Sequence, residues 1–146
     1  MFPWLRHKSG SAAVEAAIIL PLLLLLLTAL FDLGFAGWEA MQVQSAADAG
    51  AQYATRNPWN VSQISAAVTS ATGASGVSAN PAPSQFCGCP TGGTLVAISC
   101  TSKCANGDTP SLYGQVNAQM THFTVLHYPG LAQPLTLTGT AIARLQ

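Results

Sequence analysis

Residues 16–31 carry no charged side chain and are apolar but for Thr28, and after Asp32 the apolar character resumes as far as Trp38. An α-helix needs about 20 mostly apolar residues to cross the hydrocarbon of a bilayer. Residues 13–33 supply that length if Glu15 and Asp32 lie at the two interfaces. A cleaved secretory signal has a shorter apolar region, about 7–15 residues, and the only small-residue cleavage candidate after the run is the weak Ala36-Gly37. The sequence therefore predicts a retained single-pass transmembrane helix. Pro21 lies within it, removes one backbone hydrogen bond and crowds the carbonyl of Ala17, which predicts a kink that membrane helices tolerate.

Charge placement sets the expected orientation. Arg6, His7 and Lys8 precede the helix, whereas Asp32 and Glu39 follow it with no Lys or Arg before Arg56. Positive flanks stay in the cytoplasm, so the N-terminus is expected inside a bacterial inner membrane and the remainder in the periplasm. Only 7% of the 146 residues are charged and the formal net charge is zero, so no basic field exists to attract nucleic acid.

Glu15 is the unusual residue. A carboxylate near the end of a membrane helix can snorkel to the interface, which is the ordinary account of it. The spacing from Gly10 supports another. Cutting after Gly10 leaves a new amine on Ser11 with Glu15 as the fifth residue, one helical turn away. That carboxylate can meet its own ammonium, or that of an identical helix stacked with an axial offset, and the pair is stronger in a low-dielectric medium than on a surface.

These residues carry a resemblance. Gly-x-x-x-x-Glu before an apolar helix resembles a type IV prepilin cleavage site. The string GSAAVEAAIILPLLLLLLTALFDLG is similar to the N-terminal signature of TadE-like proteins, minor pseudopilins of the tight-adherence (Flp) pilus system. Val14-Glu15-Ala16-Ala17, the aliphatic pair Ile18-Ile19, Leu20-Pro21 and the leucine block 22–27 match its successive elements, and VQSAADAGAQYA at 43–54 resembles a later one. Ala16 stands where that family usually has an aromatic residue. The resemblance implies that a prepilin peptidase removes residues 1–10. It also implies partners: the inner membrane, the major Flp pilin, a companion minor pseudopilin and the Tad assembly platform. Pilus assembly for surface adhesion and biofilm formation is the implied function, with the chain a substrate of the peptidase and not an enzyme. A stationary membrane-anchored binding or sensing module is the alternative, and it requires an uncleaved N-terminus.

The expected fold class is α+β, a long N-terminal transmembrane helix followed by a small disulfide-linked domain with an antiparallel sheet. After a leader at 1–10, the helix is expected over 11–56, because Asn57-Pro58 ends it. Ala36, Ala40, Val43, Ala47, Gly50 and Ala54 form a stripe of small side chains suited to close approach. It would pack against the chain's own outer domain or, alternatively, against other subunits in a filament. Residues 57–84 read as a short helix, 61–72 capped by Asn60, followed by a loop or linker rich in Ala, Ser, Gly and Pro. Residues 85–146 read as the Cys-containing β-rich domain, with strands at 94–100, 114–126 and 135–145. A bulge is expected where the alternation of the second shifts toward Phe123 and Val125, and residues 127–134 connect the last two strands as a wide hairpin loop.

Cys87, Cys89, Cys100 and Cys104 could hold zinc as thiolates, but Cys-x-Cys departs from the usual two-residue knuckle. An oxidising compartment favours two disulfides instead. Nested pairing, Cys89 with Cys100 and Cys87 with Cys104, is preferred on the view that the segments are two arms of a hairpin; crossed pairing, Cys87 with Cys100 and Cys89 with Cys104, is the alternative. His122 and His127 read as surface or strand residues, Gly92-Gly93 as a turn, and the three tryptophans as interface anchors or packing groups. No nucleophile–base pair, phosphate loop, metal set or cofactor motif stands out.

Overall fold

The computed structural model describes residues 9–124 and 134–145, with side chains from residue 12 onward. Helix α1, Ser9–Arg56, runs for 48 residues, about 72 Å at 1.5 Å per residue, and continues through Pro21. Its two halves live in different surroundings. From Val14 to Phe35 the large side chains are exposed, Ile18, Leu22, Leu26 and Leu30 among them, and the segment is long and apolar enough to cross a membrane. From Val43 onward one face is buried: Val43, Ala46, Ala47, Ala51 and Ala54 are all at or below 5% exposure.

The helix ends where Asn57 turns back, its backbone and side-chain N–H groups both donating to the carbonyl of Tyr53. Asn60 then caps α2, Val61–Ser70, accepting from the backbone N–H of Gln63. Ile64 and Val68 of α2 are fully buried against α1. The sheet follows: β1, Ser84–Thr91; β2, Thr94–Ile98; β3, Ser111–His122; β4, Leu135–Arg144. All pairs are antiparallel and the order is β2-β1-β3-β4. Alternation on β3 turns Val116, Ala118 and Met120 toward α1, and β4 adds Ala141.

Close approach makes this packing possible. A Cβ on Gly139 would come within 2.8–2.9 Å of backbone atoms of Val43 and Gln44, and one on Gly50 would lie 2.5 Å from Val68 and 2.8 Å from Val116. Gly139 lets β4 rest on the backbone of α1, and Gly50 leaves room for the side chains of Val68 from α2 and Val116 from β3. Gln44 reinforces the contact: its amide accepts from the N–H of Thr140 at 3.3 Å and donates to that residue's carbonyl at 3.1 Å. It thereby occupies part of the open edge of β4, which an unpaired strand otherwise presents to other chains.

The α+β class is as the sequence predicts, and the small-residue stripe packs on the chain's own domain from Val43 to Ala54. Several details differ. An extra strand, β1, lies in the Cys87-x-Cys89 segment, and the stretch at 73–84 is more than a linker: Val77 is buried in the core and Ser78 pairs with Gln119. The second helix stops at Ser70, short of Thr72. No bulge interrupts β3, whose register with β4 runs continuously from Tyr113 opposite Arg144 to His122 opposite Leu135. The strand simply ends there, leaving Phe123 exposed. The parts of the expected strand and hairpin loop at 125–133 lie outside the described residues.

Gly139→Ala is expected to destabilise the domain by about 1–3 kcal/mol, the cost of overpacking a site whose neighbours are backbone and cannot rotate away. Denaturant unfolding of the full chain in detergent measures it; a change below about 0.3 kcal/mol would contradict the close contact.

Candidate functional site

Three arrangements carry chemistry. The first is the N-terminal segment. Gly10 and Ser11 lie within the first turns of α1, and Glu15 sits four residues past Ser11 on the exposed part of the helix. Positions four apart stack on one helical face, so the carboxylate shares a side with whatever amine begins at Ser11. Residues 1–8 of the leader expected at 1–10, including Arg6 and Lys8, lie outside the described residues.

The second is a hydrogen-bonded pair just past the apolar half of α1. Asp32 and Glu39, seven residues apart, fall on one side of α1, and Asp32 is only 5% exposed. Glu39 Oε2 lies 2.6 Å from Nδ1 of His122. A carboxylate only accepts, so Nδ1 carries the hydrogen. His122 is 5% exposed and its Nε2 has no partner among the described residues. The imidazole continues the inward face of β3 after Met120, instead of lying at the surface. The signal was the unbroken two-residue alternation Val116, Ala118, Met120, His122; an inferred shift at Phe123 hid it. The pair ties the foot of β3 to α1 just past the apolar half of the helix. Replacing His122 with Gln should cost about 1.5–3 kcal/mol, the range for a hydrogen bond to a charged group. A melting temperature equal to the parent's would show the pair to be incidental.

The third is the cysteine lobe. Gly92 and Gly93, with φ of 57° and 84°, make the two-residue turn that joins β1 to β2, a conformation glycine adopts without Cβ strain. That turn fixes the register: Cys89 faces Val96 and Cys87 faces Ile98. Cys100 is thus two residues beyond the partner of Cys87 and four beyond that of Cys89. Four strand residues span about 13 Å, too far for a disulfide. The bridges are accordingly Cys87–Cys100 and Cys89–Cys104, with Cα separations of 5.1 and 5.7 Å. This corrects the nested pairing preferred from the sequence: the hairpin exists, but its turn places the residues for crossed bridges.

Cys87 is opposite Leu112, so both cysteines of β1 point to the same face of the sheet as Val116. There α1 covers β3 and β4, and neither helix makes more than marginal contact with β1 and β2. The two bridges tie the loop at 99–110 to that face instead, with Cys87 and Cys89 buried and Val96 left exposed. The disulfides thus replace a helix. Peptide mapping without reduction, with fragmentation between Cys87 and Cys89, should recover the crossed pairs; nested pairs would refute the register. Replacing Cys89 and Cys104 together by Ser should cost about 2–4 kcal/mol.

Trp59 is half-buried and covers Gly114, where a Cβ would meet its ring at 2.6 Å; Trp38 is exposed at the foot of the domain. Leu30, Phe31, Gly34, Phe35 and Trp38 line an open apolar groove on α1 alone.

In comparison with known families, residues 10–52 fit the model described as TadE-like protein. The matched segment begins at Gly10 and ends within the buried half of α1. No curated protein and no solved structure matches the chain.

Proposed function

We propose that this TadE-like chain is a minor pseudopilin of a Tad-type pilus, cleaved after Gly10 by a prepilin peptidase and assembled through its N-terminal helix. The family match and the apolar half of α1 fit a Tad-type pilus component with a single membrane anchor; the specific role is our reading. The observation that carries it is the coincidence of the matched segment with one uninterrupted helix, Ser9–Arg56. Such a helix links a lipid-soluble rod rigidly to the domain it supports, so whatever pulls on one moves the other.

On this reading the chain acts by assembly and not by catalysis. The basic leader holds the N-terminus in the cytoplasm, and the disulfide-bearing domain faces the periplasm. After cleavage, Glu15 offers its carboxylate to the amine of Ser11, or to that of a neighbouring subunit, as the helix leaves lipid. The major Flp pilin, a companion minor pseudopilin and the assembly platform are the partners, and adhesion and biofilm formation the outcome.

N-terminal sequencing of the mature protein tests the reading. Ser11 should be the first residue in cells with the peptidase, and Met1 in cells without it. Met1 in both would overturn it in favour of a stationary membrane-anchored module. Glu15→Gln should leave the protein in the membrane but reduce surface pili at least several-fold by electron microscopy.

A further inference from the structure

The two outer strands of the sheet, β2 and β4, present different edges. The Gly92-Gly93 turn makes Thr91 and Thr94 a hydrogen-bonded pair, so Cys89 with Val96 and Cys87 with Ile98 are bonded pairs too. Pro90, which has no N–H, falls at the non-bonded position opposite Leu95. The backbone groups of Leu95 and Ala97 therefore point out of the sheet, and they make no hydrogen bond among the described residues. Native edges are commonly blunted by a charge, a proline or a bulge. Thr94–Ile98 has none of these, and Val96 on it is 47% exposed.

The edge of β4 is half closed. Gln44 takes the N–H and the carbonyl of Thr140, so the backbone of Thr140 points away from β3. By alternation Ile142 and Arg144 point the same way, and no described group meets their outward backbone. Beside them a groove runs between the two elements. Asp48, Ala51, Gln52 and Thr55 of α1 form one wall and residues 140–143 of β4 the other.

Charge marks the same two places. In residues 57–146 the only Lys, Arg, Asp or Glu side chains are Lys103, Asp108 and Arg144. Asp48, in the groove, accepts from the Gln44 amide at 3.2 Å and has no cation against it among the described residues. Lys103 is exposed in the loop that the two disulfides tie beside β2, and it too has no ion-pair partner among the described residues. One edge thus lacks a cation and the other an anion.

We propose that a second copy of this chain adds its β2 to the β4 edge of the first. β2 and β4 run in opposite directions, so a copy set at that edge with its sheet face unchanged continues the antiparallel order. The free lengths match. β2 ends at Ile98, past its two outward residues, and Gln44 closes the β4 edge at Thr140, before Ile142 and Arg144. Leu95 then pairs with Arg144 and Ala97 with Ile142, each pair exchanging its N–H and carbonyl bonds. Val96 lies on the same face of the sheet as Cys89, which is the face that α1 covers. It therefore enters the groove, beside Ala143 and Ala51, and the loop carrying Lys103 comes to the side of Asp48. Pairing β2 with β2 or β4 with β4 instead brings Lys103 toward Lys103 or Asp48 toward Asp48. The contact is head to tail, so each added copy leaves an edge for the next. It depends neither on cleavage after Gly10 nor on a pilus.

Cross-linking between two differently tagged full chains, co-expressed and treated in membranes with a short bismaleimide, is the test. One chain carries Val96→Cys and the other Ala143→Cys, and a mixed-tag product is expected. Val96→Cys paired with Thr69→Cys, an exposed position on α2, controls for random collision. Ala97→Pro removes an outward N–H and no bond of the β1–β2 ladder, so it should cut the mixed product at least ten-fold with an unchanged melting temperature. Asp48→Lys in the copy that offers β4 should cut it similarly, and Lys103→Asp in the copy that offers β2 should then restore it. Mixed product no higher than in the Thr69→Cys control overturns the proposal. So does equal product from Val96→Cys alone, which would mean β2 pairing with β2, or a yield that Ala97→Pro leaves intact.

Discussion

Everything in this molecule depends on how closely α1 can approach the sheet. The outer half of the helix offers Val43 and a set of alanines, none with much apolar area to bury. What it offers instead is proximity: Gly139 of β4 rests on the backbone of Val43 and Gln44, and Gly50 leaves room for Val68 and Val116. Dispersion falls steeply with separation, so small residues in tight contact do the work that larger ones do elsewhere. One consequence is mechanical. Because the helix is at once the apolar rod and the core of the domain, the domain cannot tilt freely on a linker. The hydrogen bond between Glu39 and His122 adds a second tie near the apolar end.

A core built this way is narrow. It reaches β3 and β4 but not the β1–β2 hairpin, which needs another source of order. The two disulfides supply it, tying the loop at 99–110 to a face that has no helix. The division is physical: apolar contact where α1 reaches, covalent bridges where it does not. Gln44 shows the same economy, using one amide both to fasten β4 and to cover part of its open edge.

Much of this was legible in the sequence, and the failures have identifiable causes. The apolar run, the stop at Asn57-Pro58 and the cap at Asn60 are local signals, and local chemistry determined those elements. The small-residue stripe was legible as a packing surface because its spacing is helical. The strand β1 was missed because SQFCGCPT has little alternation and contains Gly and Pro, so its pairing is set by partners on both sides and by the bridges. The cysteine pairing turned on the Gly92-Gly93 register, which fixes cross-strand partners only once β1 is recognised. His122, read as a surface or strand residue, is the last residue of β3; its burial follows the alternation Val116, Ala118, Met120, but its partner Glu39, 83 residues earlier, is announced by no local pattern. Of the processing segment, the spacing from Gly10 to Glu15 was readable, because it is a property of the chain itself.

The central claim is that the outer half of α1 is the core of the domain and not a stalk beside it. Native-state hydrogen exchange of the full chain in detergent tests it most directly. Amides between Val43 and Ala54 should exchange only through the same global opening as those of Val116, Ala118 and Met120 in β3. If the helix amides exchange readily while the strand stays protected, the sheet stands without the helix and the account is wrong.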